Sequence, residues 1–323
     1  MQKLLISTLL ISSLFIYFGC QNPSPTDPTA QLDKKTPSWD VPGDFATIQA
    51  AVDAAADGDI IKVASGNHAG ALVDKKVTIM GEGNAVIDDG PLHGSGLIQG
   101  FRMLAGSDGT TFSHLTFTTD LSIMNGEAVN DVTVTQCTFL NSVQAISDWR
   151  GSNWEITHNK IIDLRARNGG GIGILVGDYS GGVVENNVIS HNQISGTLHI
   201  NTFPVEEEGG YDGSGIVLYA DFRYGGAGAN EIKNNYVTHN SVSLVSDDPD
   251  LVDVNAFELT DTRDDVDADP YPVLFDNAIG FNDFRGTANQ ILLTPMDLEN
   301  YNDISRNLGD NRGHGLHPSF FKP

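Results

Sequence analysis

Phe112-Ser-His-Leu115-Thr-Phe117, Val134-Thr-Gln-Cys137-Thr-Phe139 and Ile156-Thr-His-Asn159-Lys-Ile161 are three copies of one pattern set 22 residues apart. In each, bulky apolar residues stand three before and two after a central position. Spacing this regular marks a solenoid, in which every repeat is a coil that buries its apolar side chains against the next. Continuing the pattern gives a single register of Leu115, Cys137, Asn159, Asn187, Asn235, Asn277 and Asn302. Phe112, Val134, Ile156, Val184, Ile232 and Leu274 precede these centres, and Phe117, Phe139, Ile161, Ile189, Val237, Ile279 and Ile304 follow them. All are expected to point inward. A second Asn lies five residues beyond each of the last four, at Asn192, Asn240, Asn282 and Asn307. In coils stacked about 4.8 Å apart, amides of one column hydrogen-bond along it and satisfy buried turn groups that apolar residues leave bare. The Asn residues are therefore read as structural ladders, not ligands.

Upstream, Asp44 to Gly58 reads as a short amphipathic helix, with Asp44 as N-cap, Ile48, Val52 and Ala55 on one face, and Gly58 as its stop. Brief β-runs broken by glycine follow at Ile60 to Val63, Gly66 to His68 and Lys76 to Gly81. A cap helix followed by short strands resembles the N-terminus of the pectin lyase-like right-handed parallel β-helix proteins. That resemblance implies an all-β fold, a parallel β-helix over residues 41–308 with a short N-terminal capping helix and a C-terminal tail at 309–323.

Of the 42 acidic residues 32 are Asp, beside 25 Asn and 35 Gly. This composition favours turns and excludes a helical bundle. Against 18 Lys and Arg the formal net charge is −24, which disfavours nucleic acid and anionic membrane surfaces as partners. Residues 1–19 read as a secretion signal, in which Lys3 precedes an apolar run from Leu4 to Phe18 that is too short to span a bilayer comfortably. Tyr17-Phe18-Gly19-Cys20 is similar to a bacterial lipoprotein processing box, which implies a lipid on Cys20. Residues 20–40 then form a flexible tether, and the protein belongs to the bacterial cell envelope, outer-membrane-anchored or extracellular. Membrane contact is expected through that anchor alone, and the chain is expected to be a monomer. Acylation of Cys20 leaves Cys137 without a disulfide partner.

A second strand type ends in Asp148-Trp149-Arg150, Asp178-Tyr179-Ser180, Asp221-Phe222-Arg223 and Asp261-Thr262-Arg263. Residues two apart share a strand face, so each Asp is expected beside its own Arg and above the next Asp. Insertions at residues 193–213, 219–230, 241–254 and 261–272 are expected to wall this strip into a groove suited to a polymer. Carboxylates stacked so closely repel, so either Arg and Ca2+ neutralise them or one keeps its proton. The candidate catalytic residues are Asp178, Asp221, Arg223, Asp261 and Arg263. The candidate substrate contacts are Asp148, Trp149, Arg150, Tyr179, Tyr219 and Tyr224.

The resemblance implies polysaccharide lyase chemistry, with an Arg on the sugar carboxylate and a base removing the neighbouring proton. Hydrolysis by two of the carboxylates is the second reaction type, although the paired-Asp strand motifs of the polygalacturonase-like enzymes are absent. The competing reading is a non-catalytic adhesive or structural surface module, in which the ladder is only ion pairs. Asp265, Asp267 and Asp269 alternate in an acidic loop, an arrangement apt for Ca2+ and equally for a solvated loop. His191 and His239 are expected to stack on an outer turn, and Gly313-His314-Gly315 is assigned to the tail.

Overall fold

The computed structural model describes residues 36–167, 171–200, 212–223, 230–250, 252–263, 272–310 and 312–314. Their strands form sheets of ten, nine, seven and three members, and the pairings between consecutive coils are parallel throughout. This is the expected parallel β-helix. The coils turn where single residues enter the left-handed region: His114, Gln136 and His158 have φ of 56, 55 and 58°. Each ends a strand of the ten-stranded sheet and sends the chain into the seven-stranded one. Phe112, Val134, Ile156, Ile189, Val237 and Ile279 form one row of the ten-stranded sheet, and all are fully buried. At about 1.5–3 kcal/mol per buried side chain, such rows are the main source of the solenoid's stability. Phe117 and Phe139 continue the core across the corner, their rings stacked at 4.8 Å.

The structure corrects the register of the C-terminal coils by five residues. Ile156 pairs with Ile189 and not with Val184, so Asn159 stacks under Asn192: Asn159 N and Nδ2 both lie 3.0 Å from Asn192 Oδ1. The column continues through Asn240, Asn282 and Asn307. Asn187 instead lies over Trp154, whose N–H donates to Asn187 Oδ1 at 2.7 Å, and begins a second column through Asn235, Asn277 and Asn302. The cause is a fourth side that the coil gains at Val183–Glu185, which pairs with Glu231–Lys233 and through it with Leu274–Phe275. Trp154 fills the position that Asn holds in later coils, five residues before the ladder Asn.

The capping helix spans Ile48–Ala54, and its N-cap is Thr47, whose Oγ1 accepts from Ala50 N at 3.2 Å. Asp44 instead closes the preceding turn, accepting from Asp40 N at 2.9 Å. Ile48, Ala51 and Val52 are its buried face. Both domain boundaries move outward: Ser38–Val41 pairs with Ile60–Val63, and Arg312–His314 pairs with Ile291–Leu293. Two expected insertions begin later than read, because Gln193–His199 and Ser241–Ser246 are paired strands of the seven-stranded sheet. Cys137 is a buried free thiol in the Leu115–Asn159 column, and burial pushes its pKa up to about 12.

Candidate functional site

Ile146, Ile174, Ile216 and Phe257 form one row of the nine-stranded sheet and lie in the core. Two residues further along each strand the side chains face inward again, at Asp148, Val176, Leu218 and Leu259; two more reach Asp178, Ala220 and Asp261. Asp148, Asp178 and Asp261 are 0% exposed and Asp221 is 1% exposed. The expected placement is thereby corrected: these four carboxylates plug the inner corner of the strand ends instead of lining the surface of a groove. They are also staggered, since Asp148 lies opposite Val176 while Asp178 lies opposite Ala220.

Each carboxylate closes the turn that follows it. Asp148 Oδ1 accepts from Gly151 N at 2.8 Å, and Asp178 Oδ1 accepts from Ser180 N at 2.6 Å. Asp221 Oδ1 accepts from Arg223 N at 3.0 Å, and Asp261 Oδ1 accepts from Arg263 N at 3.0 Å. Such side-chain to backbone bonds are the ordinary use of Asp at a strand end.

The tiers then divide into two kinds. Arg223 grips Asp221 through Nε to Oδ1 and Nη2 to Oδ2, both at 3.0 Å, and Arg263 reaches Asp261 Oδ2 through Nε at 2.8 Å and Nη2 at 2.6 Å. The Arg223 side chain is 42% exposed and that of Arg263 14%. In the two N-terminal tiers no such pair forms. Arg150 turns away, donating from Nη2 to Gly126 O at 2.6 Å and lying 5.0 Å over the Tyr179 ring. Among the described residues, Asp148 Oδ2 and Asp178 Oδ2 are buried without a hydrogen-bond partner. Burial raises the Asp148 carboxyl well above the usual carboxylate range. Hydrogen bonds from Gly151 and Asn125 oppose that rise, and the Asp178 carboxylate adds to it.

Outside this buried layer the aromatic candidates come together. The Trp149 ring lies 5.3 Å from Tyr179 and 6.4 Å from Tyr219, and Arg223 stands 5.5 Å over Tyr219. Trp149 is fixed from the tier below, where Asn125 accepts from Trp149 N and donates to Trp149 O, both at 2.6 Å. Asn125 escaped the sequence reading, although it lies one coil before Asp148. Glu258 escaped it too: its carboxylate accepts from Ser214 Oγ at 2.6 Å and Thr260 Oγ1 at 2.7 Å, beside the Asp261 turn. Its signal was the outward place it holds between the inward residues Phe257 and Leu259.

Tyr224, Asp265, Asp267, Asp269 and Cys20 lie outside the described residues. Among those described, no group of three His, Cys, Asp or Glu is placed to hold a metal ion. His191 and His239 stack as expected, at 5.1 Å, and His158 extends the stack at 4.9 Å.

A family model described as right handed beta helix region matches residues 77–260. A search of curated proteins finds no sequence match. Among solved structures, the catalytic domain of a GH87 α-1,3-glucanase in complex with nigerose aligns with 91% of this chain and 70% of its own, at 13% identity and a TM-score of 0.30. The A-module of the Azotobacter vinelandii mannuronan C-5 epimerase AlgE4 aligns with 84% of this chain and 93% of its own, at 15% identity and a TM-score of 0.27.

Proposed function

Taking as premise that the chain belongs to the right-handed β-helix family, we propose that it binds an acidic polysaccharide along the strand ends of the nine-stranded sheet and cleaves it by β-elimination. The observation that carries this reading is the Asp221–Arg223 pair, in which the carboxylate is buried and the Arg223 side chain is 42% exposed. A buried anion fixes the plane of the guanidinium at the surface, in position to take a sugar carboxylate. Trp149, Tyr179 and Tyr219 supply ring surface beside it for the apolar face of a sugar.

Neutralising the sugar carboxylate acidifies the proton on the adjacent carbon. That proton passes to a base, the bond from the next carbon to the glycosidic oxygen breaks, and a carbon–carbon double bond remains while the leaving oxygen is protonated. Tyr179, against Arg150 and Trp149, is the candidate base. Hydrolysis is less well supported, because it needs two carboxylates at the scissile bond and the four strand-end Asp are buried.

That same burial favours a second reading, a surface module that binds polysaccharide without cleaving it. The two separate in one assay, in which uronate polymers are incubated with the protein and followed for the ultraviolet absorbance of unsaturated ends. Absorbance that grows in the wild type and is lost in Tyr179→Phe supports elimination; binding without it leaves the non-catalytic module. Both readings include a lipid anchor at Cys20 and a monomer at the cell envelope, and the second adds stabilisation by Ca2+ at Asp265, Asp267 and Asp269.

A further inference from the structure

The C-terminal end of the ten-stranded sheet carries a concavity of about 290 Å3, close to the ~300 Å3 lower bound of ligand clefts. It follows from a large-to-small step between tiers. Tyr236 is succeeded in its row by Ala278 and Asp303, and Thr238 by Gly280 and Ser305. The small residues form a floor beside Tyr236, a residue that is 50% exposed.

The other wall is Phe281 and Arg306, both in the left-handed region with φ of 61 and 60°. A bulky residue held there and left half exposed is costly unless its surroundings fix it. Here they do: Phe281 continues the stack of His158, His191 and His239 at 5.4 Å, and the Arg306 guanidinium covers its far face at 5.1 Å. Among the described residues Arg306 has that ring as its neighbour and no carboxylate within ion-pair reach. In a chain with 42 acidic and 18 basic residues, an Arg stacked on a ring at a cleft mouth and outside ion-pair reach of any described carboxylate points to an anionic ligand.

We propose that this cleft binds a uronate ring. Its carboxylate lies on Arg306, its C–H face against Tyr236 and its hydroxyls toward Asp303 and Ser305. The inference rests on the reading of the protein as a binder of acidic polysaccharide, and adds a second attachment point for the same polymer on a different sheet.

The test is calorimetric titration of the full chain with galacturonate, mannuronate and glucuronate trimers, and with maltotriose as the neutral control. The wild type is expected to take up a uronate trimer at two sites and to bind maltotriose more weakly. Arg306→Gln should weaken one site ~10-fold or more, as expected for loss of a charged hydrogen bond. Tyr236→Ala should weaken the same site, and Arg223→Lys the other. Unchanged binding in both Arg306→Gln and Tyr236→Ala, equal uptake of maltotriose, or loss of all binding in Arg223→Lys alone overturns the cleft. Loss of all binding in Arg306→Gln with none in Arg223→Lys overturns the strand-end site and leaves the cleft standing. Melting curves matching the wild type establish that the variants are folded.

Discussion

Asp148 has one carboxylate oxygen on the Gly151 N–H and the other buried without a partner, in a tier where Arg150 has turned to Gly126. Its carboxyl is raised above the usual range, chiefly by burial, so the folded chain holds that proton more tightly than the unfolded one. Stability from this group is complete below the ordinary carboxylate pKa and is lost as pH climbs toward the folded value. Asp148→Asn should therefore melt higher than the wild type at mildly alkaline pH, with the difference shrinking in mild acid; a difference that grows in acid contradicts the assignment. The pairing of Asp with Arg two residues on was legible at Asp221 and Asp261 because it is local. Burial was not, because Ala145 with Ile146, and Ala256 with Phe257, are successive inward residues. This break in alternation reverses the face counted from the start of each strand.

Among the elements, the Asn columns bear most directly on how the coils stay in register. Asn240 Oδ1 accepts from both Asn192 N and Asn192 Nδ2, and Asn240 Nδ2 donates to Ile189 O at 2.9 Å. Asn240→Ala strands these groups in the interior, and at ~1–3 kcal/mol for a buried unsatisfied group the loss should be on the order of 3 kcal/mol. Urea unfolding measures it; a loss below that of an exposed Asn67→Ala control shows that the ladder does not hold the coils. The 22-residue coils from Leu115 to Asn159 were readable because each is one pattern with nothing inserted. The five-residue slip beyond Asn159 was not. Val183–Glu185 adds a side to the coil without disturbing the local pattern, and both candidate Asn sit in similar apolar surroundings. Only the pairing of Ile156 with Ile189 decides between them.

For the molecule as a whole, each coil is buried by its neighbours, so stability is shared along the stack. Ile156→Asp and Ile232→Asp place a charge at fully buried positions, at a cost of several kcal/mol. Both should cause loss of β-structure in circular dichroism well below the wild-type melting temperature; native spectra and melting for both contradict the inward assignment. Function at this scale depends on the solenoid presenting side chains from successive coils as one strip. Arg150, Arg223 and Arg263 each lie over an aromatic ring, of Tyr179, Tyr219 and Phe222. The repeat made that strip legible as a site for a polymer, while its division into buried carboxylates and outward rings came from the pairing between strands. The most direct test of acidic-polysaccharide binding there is the equilibrium affinity of wild type and Arg223→Lys for a uronate polymer at low salt. Lysine keeps the charge but not the planar fork gripped by Asp221, so affinity should fall ~10-fold with melting unchanged. Equal affinity of the two proteins, or no binding by the wild type, contradicts the account.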